Sequence, residues 1–128
     1  MNSRTPVVAV VDDDPRLLAS LANLLESAGY AVRSFPSALS LVASGAFDMD
    51  ALVTDVGMAG MSGFELRDHV RRARPDLPVF LITGRHEIAE RDQAQGISGF
   101  FRKPFDAQLL LSAVADALNN RMEGKDEN

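Results

Sequence analysis

Four short apolar runs in this chain lead into side chains that could do chemistry together. Residues 6–11 run into Asp12 and Asp13, residues 51–54 into Asp55 and residues 78–82 into Thr83, and residues 98–101 are followed two positions on by Lys103. Three carboxylates sharing a crevice repel one another. Two of them ~5 Å apart, at an effective dielectric of ~20, cost about 3 kcal/mol if both stay ionised. Such a site relieves itself by holding a proton or a cation. Oxygen donors without His or Cys favour Mg2+ or Mn2+ over zinc. An ion held by two or three protein oxygens keeps open positions, which phosphate oxygens suit. Lys103 and the Thr83 hydroxyl would take the remaining phosphoryl oxygens. Asp55 could then act as the nucleophile and form an acyl phosphate. The chain has eleven arginines and only two lysines, Lys103 and Lys125. A compact ammonium before Pro104 suits a tight pocket that a guanidinium does not fit.

These residues converge only if the runs are neighbouring parallel strands. Residues 6–11 are β-branched and unbroken, the pattern of a strand buried on both faces. Asp14-Pro15 predicts an N-cap with Pro at the first helical position, and Leu17, Leu18, Leu21, Leu24, Leu25 and Ala28 follow at helical spacing until Gly29. The alternation repeats: strands over 31–35, 51–54, 78–82 and 98–101, helices over 36–44, from Ser62 or Gly63 to Ala73, and over 104–120. A further helix over 85–95 has only Ile88, Ala89 and Ala94 to bury among charges, so it is expected to be short or mobile. Residues 121–128 read as a polar tail or the start of a linker. Alternating strands and helices predict an open parallel sheet covered on both faces. In such sheets, ligands bind at the carboxyl ends of the strands, where the acids, Thr83 and Lys103 fall.

Composition narrows the classes. The chain has 128 residues, 46% of them hydrophobic, enough for one domain with its own core. It has no cysteine, which excludes disulfides, thiolate zinc sites and thiol catalysis. The net charge of −5 argues against nucleic acid as the partner of this segment. No apolar run approaches the ~18 residues of a membrane span, and the start is too short for a secretory signal. The expectation is a soluble, cytoplasmic domain.

The runs Val10-Val11-Asp12-Asp13, Asp55-Val56-Gly57-Met58-Ala59-Gly60-Met61-Ser62-Gly63, Ile82-Thr83-Gly84 and Lys103-Pro104-Phe105 resemble the receiver domain of bacterial response regulators, with wording closest to the FixJ-like subgroup of this CheY-like superfamily. The similarity runs from about Val7 to Leu118. It implies a flavodoxin-like (βα)5 fold with strand order 2-1-3-4-5, a receiver over residues 1–120 and a tail over 121–128. It implies that Asp55 is the phosphoacceptor for a sensor histidine kinase or phosphotransfer protein. Asp13 and Asp55 would hold Mg2+ (or Mn2+) directly, Gly57 by its backbone carbonyl and Asp12 through water. Thr83 and Phe100 would be the switch pair, and the Lys103–Pro104 bond would be cis. The switching face, a possible homodimer contact, would comprise the fourth helix, fifth strand and fifth helix of that fold. The resemblance further implies a signalling domain that catalyses only its own phosphorylation and dephosphorylation. The chain departs from the family at Ala59, where Pro is usual, which should loosen the loop. It departs again in the short, polar stretch between Thr83 and Lys103, and in Gly57, which leaves the site open beside the phosphoryl group.

Two other functions compete. Asp12-x-Asp14 suggests a haloacid-dehalogenase-type phosphohydrolase with Asp12 as nucleophile and Asp14 as general acid, but Pro15 and Arg16 do not continue that motif. A flavodoxin-type FMN carrier would cradle phosphate where this chain has three acids. Plainer roles are expected for several residues: Asp14 as a helix cap, Phe101 in the core, Met58 and Met61 in loop packing, His69 and His86 at the surface. Arg67, Arg71, Arg72 and Arg74 read as a solvated face of the third helix.

Overall fold

A computed structural model describes residues 5–45, 47–84 and 99–126. Five strands form one sheet: β1 (Val7–Val11), β2 (Ala31–Phe35), β3 (Ala51–Asp55), β4 (Val79–Thr83) and β5 (Gly99–Arg102). Their order is β2-β1-β3-β4-β5, and every neighbouring pair is parallel. Among the described residues four helices accompany them: α1 (Pro15–Ser27), α2 (Ala38–Ser44), α3 (Gly63–Ala73) and α4 (Ala107–Asp126).

The pleat divides the core in two. Ala9, Val11, Leu52, Val79 and Leu81 face one side, where Ala38 and Leu41 of α2 and Leu66 and Val70 of α3 pack on them. Val8, Val10, Val53, Phe80 and Ile82 face the other, under Leu21 and Leu25 of α1 and Leu110, Val114 and Leu118 of α4. Successive side chains of a strand point to opposite faces, so the central strands must be apolar throughout. This is why β1, β3 and β4 read as unbroken runs.

Helix ends follow local chemistry. The Asp14 side chain accepts the N–H of Arg16, with Pro15 in the first turn. Ser62 and Glu65 form a reciprocal capping box at α3. Gly29, after α1, has φ +101°, which favours glycine. Two starts come later than the sequence pattern predicts. Ser37 caps α2, so that helix begins at Ala38 instead of 36. Asp106 accepts the N–H groups of Gln108 and Leu109, so α4 begins at Ala107 instead of 104. The α4 backbone then stays helical to Asp126, six residues beyond the expected end at 120. The predicted helix over 85–95 and His86 lie outside the described residues.

The arginine face of α3 requires correction. Arg67 is buried, with its guanidinium over the Phe64 ring and its Nε donating to Asp68. Arg71 donates to the Leu77 carbonyl, and Arg74 to the carbonyls of Phe47 and Met49. Only Arg72 of the four is exposed. Loop carbonyls that no ladder satisfies need donors, and two long guanidinium arms, of Arg71 and Arg74, supply them from the helix and its cap.

Candidate functional site

The site forms where β1, β3 and β5 end on one edge. Asp12 directly follows β1, and its N–H still reaches the Phe35 carbonyl at 3.3 Å, so its backbone is an extension of the sheet. It is 1% exposed. Its Oδ1 accepts the N–H of Asp14 at 2.8 Å, while its buried Oδ2 has no hydrogen-bond partner among the described residues. Asp13, next along, is exposed. Asp55 is the last residue of β3 and is 4% exposed. The following N–H, of Val56, donates to the Ile82 carbonyl at 2.8 Å, which ties the exit of β3 to β4.

Lys103 comes in from the far edge. Its N–H donates to the Thr83 carbonyl at 2.8 Å, and the bond to Pro104 is cis. Its ammonium lies 3.1 Å from Asp55 Oδ1 and 3.8 Å from Asp12 Oδ2. One cation therefore faces two buried carboxylates and a third exposed one. Carboxylate oxygens of Asp12, Asp13 and Asp55 all lie within 4.8 Å of one another.

The electrostatics follow. Burial pushes the Asp55 carboxyl up to about 6, helped by the charges of Asp12 and Asp13 and opposed by Lys103. Burial also raises Asp12, against the Asp14 N–H and Lys103, which lower it. For Lys103, burial pulls downward, but the hydrogen bond to Asp55 and the three nearby carboxylates win, so its net shift is upward. The acids thus carry more charge than one lysine settles. An unsatisfied buried carboxylate oxygen, an all-oxygen donor set and excess negative charge together fit a small hard divalent cation such as Mg2+.

The other residues singled out by sequence stand nearby, in different states. Gly57 lies two residues beyond Asp55 and is exposed. Thr83, at the end of β4, is fully buried, and its hydroxyl donates to the Gly84 carbonyl at 3.1 Å. Phe100 is half-buried and packs on the α2/α3 side of the sheet, and Phe101 on the α1/α4 side. The Asp14 side chain is engaged as the helix cap, accepting the N–H of Arg16 at 3.0 Å.

Sequence reading passed over two residues that support the site. The Asp50 carboxylate accepts the N–H of Val7 at 2.7 Å and so anchors the start of β1. Thr54 is fully buried, and its hydroxyl donates to the Asp55 carbonyl at 3.0 Å. A lone hydroxyl at the end of the apolar run 51–53 was the available signal.

Comparison with known proteins gives a consistent result. Residues 8–115 match the family model described as response regulator receiver domain. The transcriptional regulatory protein FixJ of Azorhizobium caulinodans is 36% identical over 119 residues, covering 91% of this chain and 56% of that protein. The C4-dicarboxylate transport transcriptional regulatory protein DctD of Rhizobium meliloti is also 36% identical, over 122 residues, covering 93% of this chain and 26% of that protein. The chain thus spans about half or less of the length of these relatives. Among solved structures, the response regulator StyR superposes with a TM-score of 0.84 at 34% identity, covering 97% of this chain and 64% of that one. The FixJ-N crystal structure gives a TM-score of 0.79 at 31% identity, covering 91% of this chain and 96% of that one.

Proposed function

Because this chain belongs to the response regulator receiver family of two-component systems, we propose that Asp55 is its phosphoacceptor and that Asp12, Asp13, Thr83 and Lys103 assist it. The family is one of signalling domains, and the reading limits this chain's own chemistry to gaining and losing one phosphoryl group. An Asp55 carboxylate oxygen attacks the phosphorus of a phosphohistidine on a sensor kinase or phosphotransfer protein. The P–N bond breaks, its electron pair returns to that ring nitrogen, and the imidazole leaves neutral because its other ring nitrogen already carries a proton. The observation that carries the reading is the set of three carboxylates within 4.8 Å of one another, with the Lys103 ammonium 3.1 Å from Asp55.

Asp13 and Asp55 would hold Mg2+ (or Mn2+) by their side chains, Gly57 by its carbonyl and Asp12 through water; the ion would neutralise the acids and draw in phosphoryl oxygens. Lys103 then leaves its pairing with Asp55 for a phosphoryl oxygen. Thr83 changes partner, from the Gly84 carbonyl to the phosphoryl group, and Phe100 turns further inward behind it. Phosphorylation adds close to two negative charges, which a two-state surface can read. That surface comprises the helix expected over 85–95, which lies outside the described residues, together with β5 and α4, where Leu109 stands 61% exposed. It serves an output domain, a partner or a second copy of the chain. The receiver comprises residues 1–120, and residues 121–128 lead away from it. The segment does not itself bind nucleic acid, in keeping with its charge of −5. No described helix is long and apolar enough to cross a membrane. A cytoplasmic location, consistent with the absence of cysteine, completes the reading.

Acetyl phosphate with Mg2+ tests it. One phosphate per chain should appear on the wild type by intact-mass spectrometry and none on Asp55→Ala. Equal labelling of the variant overturns the assignment.

A further inference from the structure

The backbone leaving β3 is held at each peptide before it reaches Gly57. The peptide joining Asp55 to Val56 is fixed at one end by the Val56 N–H, which donates to the Ile82 carbonyl at 2.8 Å. At its other end the Asp55 carbonyl accepts the Thr54 hydroxyl at 3.0 Å. The next carbonyl, of Val56, accepts the N–H of Gly63 at 3.0 Å and of Met58 at 3.2 Å. Gly63 also closes the space over this turn. A Cβ there would lie 2.4 Å from the Asp55 oxygen and 2.9 Å from Val56 Cα, so nothing larger than hydrogen fits.

Thr54 is the one side chain among these contacts, and packing does not require its hydroxyl. It lies on the strand face shared with Leu52, in a layer of Val11, Leu66 and Leu81. It is 0% exposed. A hydroxyl in such a layer is a burden unless hydrogen-bonded, whereas valine has the same shape without it. Thr54 takes no place among the groups that face the acids, since Asp55 projects to the opposite side of the sheet, with Val53.

We propose that Thr54 is a positioning residue: its hydroxyl fixes the Asp55 carbonyl and so the direction in which the turn presents the Asp55 carboxylate and the Gly57 carbonyl to a divalent cation. This rests on the receiver reading above. A rigid turn delivers both ligands without an ordering cost at binding, and a turn released from one hydrogen bond must be ordered each time.

The test compares wild type, Thr54→Val and Thr54→Ser, measuring Mg2+ affinity by calorimetry, the thermal midpoint in EDTA, and backbone amide NMR shifts of Val56 and Gly57. The expected result is that Thr54→Val binds Mg2+ about fivefold more weakly, the loss of roughly one net hydrogen bond. Its metal-free midpoint should be unchanged or higher, because the buried layer turns wholly apolar. The two amide signals should shift. Thr54→Ser, which keeps the hydroxyl, should restore affinity to within about twofold of wild type. Wild-type Mg2+ affinity in Thr54→Val overturns the proposal. So does equal weakness of the serine and valine variants with both midpoints lowered, which would mark a packing role. Failure of the wild type itself to bind Mg2+ or take phosphate from acetyl phosphate overturns the receiver reading and this inference with it.

Discussion

Asp55→Asn should make the metal-free protein more stable. Asp55 is raised from 3.8 to about 6 in the fold. The difference of 2.2 units corresponds to about 3 kcal/mol at 1.36 kcal/mol per unit. A folded pKa above the unfolded one means that the native state binds the proton more tightly. The stability this contributes is therefore complete below pH 3.8 and is lost as pH rises through 6. At pH 8 the wild type carries the whole loss, with its carboxylate held 4% exposed beside Asp12. Asparagine keeps the shape and never ionises. Lys103 loses one partner but still has Asp12 at 3.8 Å and is about one-third open to solvent. The net gain at pH 8 is expected to be about 1–3 kcal/mol, and each kcal/mol raises the midpoint by roughly 3–5 °C for a domain of this size. At pH 4.5 the same relation leaves an upper limit of about 1 kcal/mol, because the native Asp55 is then protonated. Urea unfolding in EDTA at both pH values measures this difference, and using the variant as reference cancels the other acids. Saturating Mg2+ should narrow or close the gap at pH 8, because the ion stabilises more strongly the form that keeps its Asp55 ligand. With Mg2+ at about 20 times its dissociation constant, the wild type gains on the order of 2 kcal/mol. An asparagine variant less stable than wild type at pH 8 in EDTA, or a gain that does not shrink at pH 4.5, would refute the electrostatic account of the site.

Mg2+ affinity itself should fall as pH drops through about 6, since a proton on Asp55 competes with the ion. Ionised Asp55 falls about tenfold between pH 7 and pH 5, and calorimetry at those values should show at least that loss. Away from the site, Arg74→Ala should destabilise by about 1–3 kcal/mol in urea unfolding, because the carbonyls of Phe47 and Met49 lose their donor. Acetyl-phosphate labelling should survive that change, since Gly63 at the start of α3 lies against Asp55 and Arg74 caps the opposite end of the helix. A variant as stable as wild type would mean that water replaces the guanidinium.

Much of the molecule was legible because its signals are local. The caps at Asp14 and Ser62 depend on residues two or three positions away. The apolar runs of β1, β3 and β4 follow from burial on both faces, which leaves little choice of side chain. From those runs alone, the polar groups that follow them could be assigned to one edge, because parallel strands carry their ends to the same side. Asp106 was a less readable cap, since Pro104 two residues earlier offers a competing helix start.

The rest depended on contacts between distant parts of the chain. Arg71 and Arg74 look like solvated charges until the loops before β3 and β4 bring bare carbonyls to them. The Asp50 side chain meets an N–H 43 residues away. The 3.1 Å approach of Lys103 to Asp55 arises because β4 lies between β3 and β5 and spaces their ends. The fate of the Thr54 hydroxyl was set by the sheet and the closely packed start of α3, which leave it one acceptor. Residue types and order thus determined which groups meet on the edge. How buried each is, which oxygen is left without a hydrogen bond among the described residues and how far each pKa moves came from packing, because desolvation and Coulomb energy depend on three-dimensional distance, which linear spacing does not contain.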